Sequence, residues 1–426
     1  MKPAVYLHKP GMVCSLGMTT DAIAAQLFSL QPKPLTLTDQ FTPGMPLPLG
    51  QITGELFAVP LAAADNRSSN SHNNSHNNSH NDSRNNRLLL TAVAQLDDQL
   101  NDLRQRYASH RIGVVLGTST SGIGEAEQAF ARRHADGSLP DDYHYSLQEI
   151  GAPAQFLARH LQLSGPAITI STACSSGAKA LASARRLLRN NICDAVICGG
   201  VDSLCGLTVN GFKALDSVSS NTCQPSSRNR DGINIGEAAC LFVMSREPGP
   251  VQLSGCGETS DAHHISAPHP EGIGAVAAIR QALVDAGLQP EQIDYVNLHG
   301  TATQQNDRME HLVVNQLLGK ATPCSSTKAL TGHTLGAAGA LEAAFCWLTL
   351  TGSGQLPPHW WDGKIDPELA PLQLVSAGQR LPTAPRHLLS NSFAFGGNNI
   401  ALLLSASVSD KDKDINTNTG DADETR

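Results

Sequence analysis

Apolar residues fall along this chain in two kinds of run. Short unbroken runs such as Ile112-Gly113-Val114-Val115-Leu116 and Ala195-Val196-Ile197-Cys198 predict strands buried on both faces. Longer segments, Leu88 to Leu103 and Ala275 to Ala286, carry apolar residues at helical spacing and predict helices. Strand and helix alternate between them, which implies an α/β fold with a central sheet covered by helices. With 426 residues the chain can bury a large core and divide into two structural halves.

One junction stands out. An apolar run, Ala167-Ile168-Thr169-Ile170, leads to Ser171-Thr172-Ala173-Cys174, and a small-residue helical run, Ser175 to Asn190, follows. The pattern places a thiol at a strand-to-helix turn. Orphan N–H groups and the macrodipole at a helix N-terminus stabilise a thiolate. A tight turn also offers a backbone N–H to a developing oxyanion. A buried structural cysteine has the same local signature, so this turn alone leaves both readings open.

Three more turns rich in Gly, Thr and Ala carry chemistry-bearing residues. They are Leu298-His299-Gly300-Thr301-Ala302-Thr303, then Ser325 to Gly339 with Lys328 and His333, and Asn391-Ser392-Phe393-Ala394-Phe395-Gly396-Gly397-Asn398-Asn399. Small residues in such turns let backbone and substrate approach closely. The chain also echoes itself: Thr172 to Ala178 opens one Ala-rich helix, and Gly332 to Ala338 opens another that ends near Leu348. From residue 1 to about 408, these motifs and their order resemble the β-ketoacyl-(acyl-carrier-protein) synthases with a Cys-His-His site.

The resemblance implies a thiolase-like duplicated fold, a five-layer αβαβα sandwich. Its halves would span residues 1–249 and 250–408, dividing near Gly249. It implies that Cys174 takes an acyl group as a thioester, and that His299 and His333 polarise a malonyl thioester through Nε2–H donors. Lys328, supported by Glu342, would order His299. Phe395 would be the gate, its N–H completing an oxyanion hole with that of Cys174. Thr301 and Thr303 would meet the phosphopantetheine arm, and Thr120, Phe212 and Phe395 would line the acyl pocket. Taken singly, His333 reads equally as a helix cap, Lys328 and Glu342 as solvated charges, Thr301 and Thr303 as turn caps, and Phe212 as core. The order of the motifs favours the site.

Departures from the family pattern concern the gate and the flanking loops. Ala394 stands where the family has Gly, which restricts positive φ. Asn398 replaces a common Thr, Ala302 a Ser or Gly, and Ser226-Ser227 the usual Phe-Asp. A degradative thiolase would carry a second cysteine near the C-terminal Gly-rich motif, and a priming synthase would carry Asn in place of His333. Thr120 and the segment Arg84 to Leu90 look most like ketosynthase subunits of bacterial aryl-polyene and related type II polyketide systems. Ordinary fatty-acid elongation is the alternative. A non-catalytic chain-length-factor subunit is disfavoured, because such subunits lack the nucleophilic cysteine. The resemblance further implies acyl carrier protein as partner, and a homodimer or a heterodimer with a homologous chain-length factor formed around Ala195 to Gly200. It implies no cofactor on the enzyme itself, since phosphopantetheine arrives on the carrier.

Composition changes the picture little. Net charge is −8, which leaves no general nucleic-acid footprint. No 18-residue apolar run predicts a membrane span, and the N-terminus lacks a signal-peptide core, so a cytoplasmic protein is expected. Ten cysteines without paired spacing read as reduced thiols. Asp65 to Asn86 repeats Ser-His-Asn-Asn and reads as a solvated low-complexity insert; no metal site is expected, since its histidines lack nearby cysteines or a carboxylate cluster. The polar tail, 409–426, is expected to be disordered.

Overall fold

The computed structural model describes residues 3–60, 81–141 and 143–407. Its frame is two five-stranded sheets of the same design. The first comprises β1 (Gly11–Cys14), β2 (Ile112–Gly117), β3 (Ala167–Ile170), β4 (Ala195–Asp202) and β5 (Ala238–Ser245). The second comprises β6 (Val251–Ser260), β7 (Tyr295–Asn297), β8 (Pro323–Ser325), β9 (His387–Ala394) and β10 (Asn398–Ala406). The spatial orders are β3-β2-β4-β5-β1 and β8-β7-β9-β10-β6, so each half runs third, second, fourth, fifth, first. The directions match too. In each half the third, second and fourth strands are parallel, and the fifth is antiparallel to both of its neighbours. The short strand Tyr6–Leu7 pairs with both β5 and β6 and joins the sheets.

Helices complete five layers. The helices α1 (Arg84–Val93) and α2 (Ala152–His160) cover the outer face of the first sheet, and α4 (Ile273–Ala286) and α5 (Gln304–Leu318) lie on the far side of the second. Between the sheets lie α3 (Ser176–Arg189) and α6 (Ala338–Thr351), which touch each other and strands of both sheets. Helix α6 is buried nearly all round, as its middle position requires. The walls meet backbone to backbone: a Cβ built on Gly200 would lie 2.8 Å from the Gly336 carbonyl oxygen, and one on Gly117 only 2.4 Å from the Gly177 nitrogen. That contact accounts for the small residues in both motifs.

Two sequence expectations are corrected here. Strand β4, the expected dimerisation strand, lies between β2 and β5 and is buried throughout. The free edge of the first sheet is β3, where Ile168 is 40% exposed. A continuous apolar run marks a strand as interior, and the edge was to be sought in the more alternating segment. The expected insert, 65–86, also ends too late. Its residues 65–80 lie outside the described residues, as does the tail 409–426. Ser83, however, caps α1 by accepting the Asn86 N–H at 3.2 Å, and Asn85 and Asn86 are buried. Arg84 donates from Nε to the buried Glu237 carboxylate at 2.7 Å. Polar composition hid a helix start at which Ser83 serves as cap and Arg84 enters an ion pair.

Candidate active site

Four turns converge at the end of the middle layer. Strand β3 ends at Ile170, and Ala173 adopts a left-handed φ of 52° that turns the chain sharply before α3. A non-glycine residue rarely holds that conformation, and here it places Cys174 at the mouth of the helix. The thiol is 5% exposed. The backbone N–H groups of Phe395 and of Cys174 itself favour the thiolate. Burial nevertheless dominates and pushes the thiol up to about 11, with the Lys328 charge the strongest opposing influence. The helix-terminus argument predicted the opposite direction. It missed how completely the two sheets enclose the sulfur.

His333 comes from the turn before α6. Its backbone is fixed on both sides, N–H to the Asn234 carbonyl at 2.6 Å and carbonyl to the Gly236 N–H at 2.9 Å. Its Nε2 lies 3.0 Å from Cys174 Sγ. Its Nδ1 accepts the Leu335 N–H at 3.3 Å, so the neutral ring carries its proton on Nε2, facing the sulfur. His299 approaches from the turn after β7, its ring 5.4 Å from that of His333 at 82°. Cys174 Sγ and one nitrogen from each histidine lie within 4.8 Å of one another. The three could in principle ligate a soft metal, but the proton on His333 Nε2 occupies the lone pair a metal would need. Burial first, and the Lys328 charge second, hold both histidines well below their ordinary value, so both are neutral at pH 7.

Lys328 is buried under this pair. Its Nζ donates to the His299 carbonyl at 2.5 Å and to Glu342, which α6 supplies. Burial raises the Glu342 carboxyl against the pull of Lys328. Glu310 on α5 takes a part that the motifs of the sequence do not assign to it. Its carboxylate accepts the N–H groups of His299 at 2.8 Å and Gly300 at 2.7 Å. The α5 carboxylate thus fixes the histidine turn from below.

A cavity of about 250 Å³ opens onto the sulfur. Cys174, His299, His333, Thr301, Thr303, Phe212 and Phe395 line it, together with Ile233 and Leu215. Thr301 and Thr303 share a hydrogen bond of 3.0 Å at the wall, and the rings of Phe212 and Phe395 sit 5.5 Å apart. Thr120 is not brought to this cavity. It is fully buried, and both its N–H and its hydroxyl donate to Asp202. The gate also differs from expectation. Ala394 is extended at φ −99°, while Gly396 and Gly397, at 79° and 73°, carry the left-handed turns. The Ala394 side chain therefore costs nothing in this conformation. Gly396 N–H donates to the Ile265 carbonyl at 2.7 Å, and Lys179 of α3 reaches Asn398 at 2.9 Å.

Comparison with known proteins matches this geometry. Residues 68–248 fit the family model described as beta-ketoacyl synthase, N-terminal domain, and residues 251–360 the corresponding C-terminal domain. The 3-oxoacyl-[acyl-carrier-protein] synthase 2 of Synechocystis sp. is 32% identical over 333 residues, 73% of this chain and 79% of that protein. Among solved structures, the ketosynthase (ApeO) in complex with its chain length factor (ApeC) from Xenorhabdus doucetiae is 45% identical with a TM-score of 0.88. The match covers 95% of this chain and 98% of that one. The ishigamide ketosynthase/chain length factor is 26% identical with a TM-score of 0.81, over 96% and 100% of the two chains.

Proposed function

The chain belongs to the β-ketoacyl synthase family, and from that premise we propose that it extends a Cys174-bound acyl chain with malonyl units, in aryl-polyene or related type II polyketide assembly. The convergence of one enclosed thiol and two neutral histidines carries the reading. In the first half-reaction, Sγ attacks the acyl thioester carbonyl. The N–H groups of Cys174 and Phe395 stabilise the oxyanion, and the pantetheine thiol leaves with the thiol proton. In the second, the malonyl carboxylate departs as carbon dioxide. The enolate oxygen is held by Nε2–H of His299 and His333, and its carbon attacks the Cys174 thioester. Collapse returns the β-ketoacyl carrier and expels the Cys174 thiolate, which takes up a proton from solvent to regenerate the thiol. Neutral imidazoles suit this step, since they donate hydrogen bonds without adding charge to the site.

The choice of pathway rests on the 45% identical ketosynthase, which is solved with a chain length factor, against 32% for the 3-oxoacyl-carrier-protein synthase. The exposed β3 edge supports dimerisation with a chain length factor or a second copy, because the equivalent edge of the other half is covered by the strand Gln373–Leu374. In this reading the halves divide after Gly249, the enzyme binds no cofactor of its own, and phosphopantetheine enters past Thr301 and Thr303 on a carrier protein. We place the protein in the cytoplasm. Among the described residues, no helix is long and apolar enough to cross a membrane. The test is to incubate purified protein with acyl- and malonyl-carrier proteins, with and without a candidate chain length factor, and to read products by mass spectrometry. Elongated β-ketoacyl products support the reading. Saturated-chain elongation that needs no partner would favour fatty-acid synthesis instead.

A further inference from the structure

We propose that Asp202 is a positioning residue that sets the proton-bearing nitrogen of His333 through the backbone of Leu335 and Gly336. The proposal rests on the assignment of His333 to malonyl decarboxylation. Asp202 ends β4, is fully buried and touches no part of the substrate cavity. Its two oxygens do different work. Oδ1 accepts from Thr118 Oγ1 at 2.6 Å, Ser119 N at 2.8 Å, Thr120 N at 2.9 Å and Thr120 Oγ1 at 2.8 Å. Oδ2 accepts from Gly336 N at 2.5 Å, and Ser119 N leans on it at 3.0 Å.

The bond to Gly336 has a consequence one residue earlier. Leu335 is held at φ 50°, left-handed, although leucine has no intrinsic preference for that region. Capture of the Gly336 N–H by the carboxylate keeps the turn in that conformation. The left-handed Leu335 in turn aims its own N–H at His333 Nδ1. With Nδ1 accepting, the proton must sit on Nε2, pointing at Cys174. The contact is tight as well as bonded. A Cβ built on Gly336 would lie 2.7 Å from Asp202 Oδ2, so residue 336 has no room for a side chain while the carboxylate is there. Release of Gly336 would let Leu335 relax, turn its N–H away from Nδ1, and allow the other tautomer, which presents a lone pair where the enolate needs a donor.

Asp202→Asn separates the two roles. Four donors converge on Oδ1, so the amide oxygen takes that side and the NH2 group faces Gly336 N–H, donor against donor. The loop 118–120 stays tied through Oδ1, Ser119 N–H keeps its shorter bond there, and the Gly336 bond is lost with the longer Ser119 contact. We expect acylation of Cys174, read by intact mass, to stay within about threefold of wild type. Malonyl-carrier decarboxylation should fall about tenfold or more in kcat, within the roughly 100-fold to 1,000-fold cost of a lost oxyanion donor, with KM nearly unchanged. Equal losses in both half-reactions, or no loss in either, would overturn the assignment. Thr118→Val removes a donor from Oδ1 and spares Gly336, so it should preserve the ratio of decarboxylation to acylation. A selective loss of decarboxylation there would also overturn it, whether or not the Asn variant folds. Wild-type protein that acylates but does not decarboxylate malonyl carrier would refute the parent function and this assignment with it.

Discussion

The reactivity of Cys174 gives the sharpest test of the electrostatics. An ordinary cysteine thiol lies near 9, and burial pushes this one up to about 11. At about 1.36 kcal/mol per pH unit, ionisation is harder by about 2.7 kcal/mol. At pH 8 the thiolate fraction is therefore about 100-fold below that of an unperturbed thiol. A more basic thiolate is also the better nucleophile. With a Brønsted slope of about 0.4–0.5, each thiolate reacts roughly six to ten times faster, so the net rate is about tenfold slower. The assay is the reaction with a small pyridyl disulfide from pH 6 to 10, followed by pyridinethione release, with the modified cysteine located by mass. The logarithm of the rate should rise with slope near one across the whole range. Lys328→Met removes the strongest influence opposing burial and should slow the reaction further. Among the other thiols, Cys14, Cys223 and Cys256 are pushed up to about 12, so Cys174 should react before these three. A plateau at or below pH 8 would refute the reasoning. It would show that the helix terminus and the two N–H groups outweigh enclosure.

Other outcomes follow from the site and its supports. Cys174→Ala should abolish the acyl-enzyme in intact-mass measurements, and stoichiometric acylation of that variant would remove Cys174 from its role. His299→Ala and His333→Ala should still acylate but lose about 100-fold or more in malonyl decarboxylation, measured as acetyl-carrier formation. Ser83→Ala should cost about 1 kcal/mol in urea unfolding through loss of the α1 cap, with condensation little changed. Ile233→Phe should fill part of the cavity of about 250 Å³ and shorten the products, read by mass spectrometry while short-chain acylation serves as the control.

The parts of this molecule that sequence reveals are those written in local runs. The strands Ile112–Gly117 and Ala195–Asp202 and the helix Ile273–Ala286 lie where the apolar pattern predicts them. Cys174, His299, Lys328, His333 and Glu342 were found because each sits in a distinctive motif, and the fold brings all five together. What stayed hidden depends on partners far apart in the chain. Asp202 and Gly336 are 134 residues apart, and one carboxylate accepting backbone N–H groups leaves no periodic trace. The thiol's raised pKa is a property of two packed sheets, not of its own turn. Thr120 does not line the cavity seen here, and its hydroxyl meets a buried acceptor that composition cannot show. Asn85 and Asn86 were lost in a polar repeat that runs without a break into a helix.

The meeting of the two halves through bare backbone divides the cavity into a side that can change and a side that cannot. Behind Cys174 and His333, glycines 117, 177, 200 and 336 leave no space for even a methyl group, so any substitution there would move nucleophile and histidine apart. Opposite them, Phe212, Leu215 and Ile233 are ordinary side chains, and Phe212 and Ile233 belong to a small satellite cluster beside the main core. Exchange there alters volume without touching the reacting atoms. A designer who wants a different acyl chain has one wall to work on, and the other serves as a fixed datum against which the catalytic distances are held.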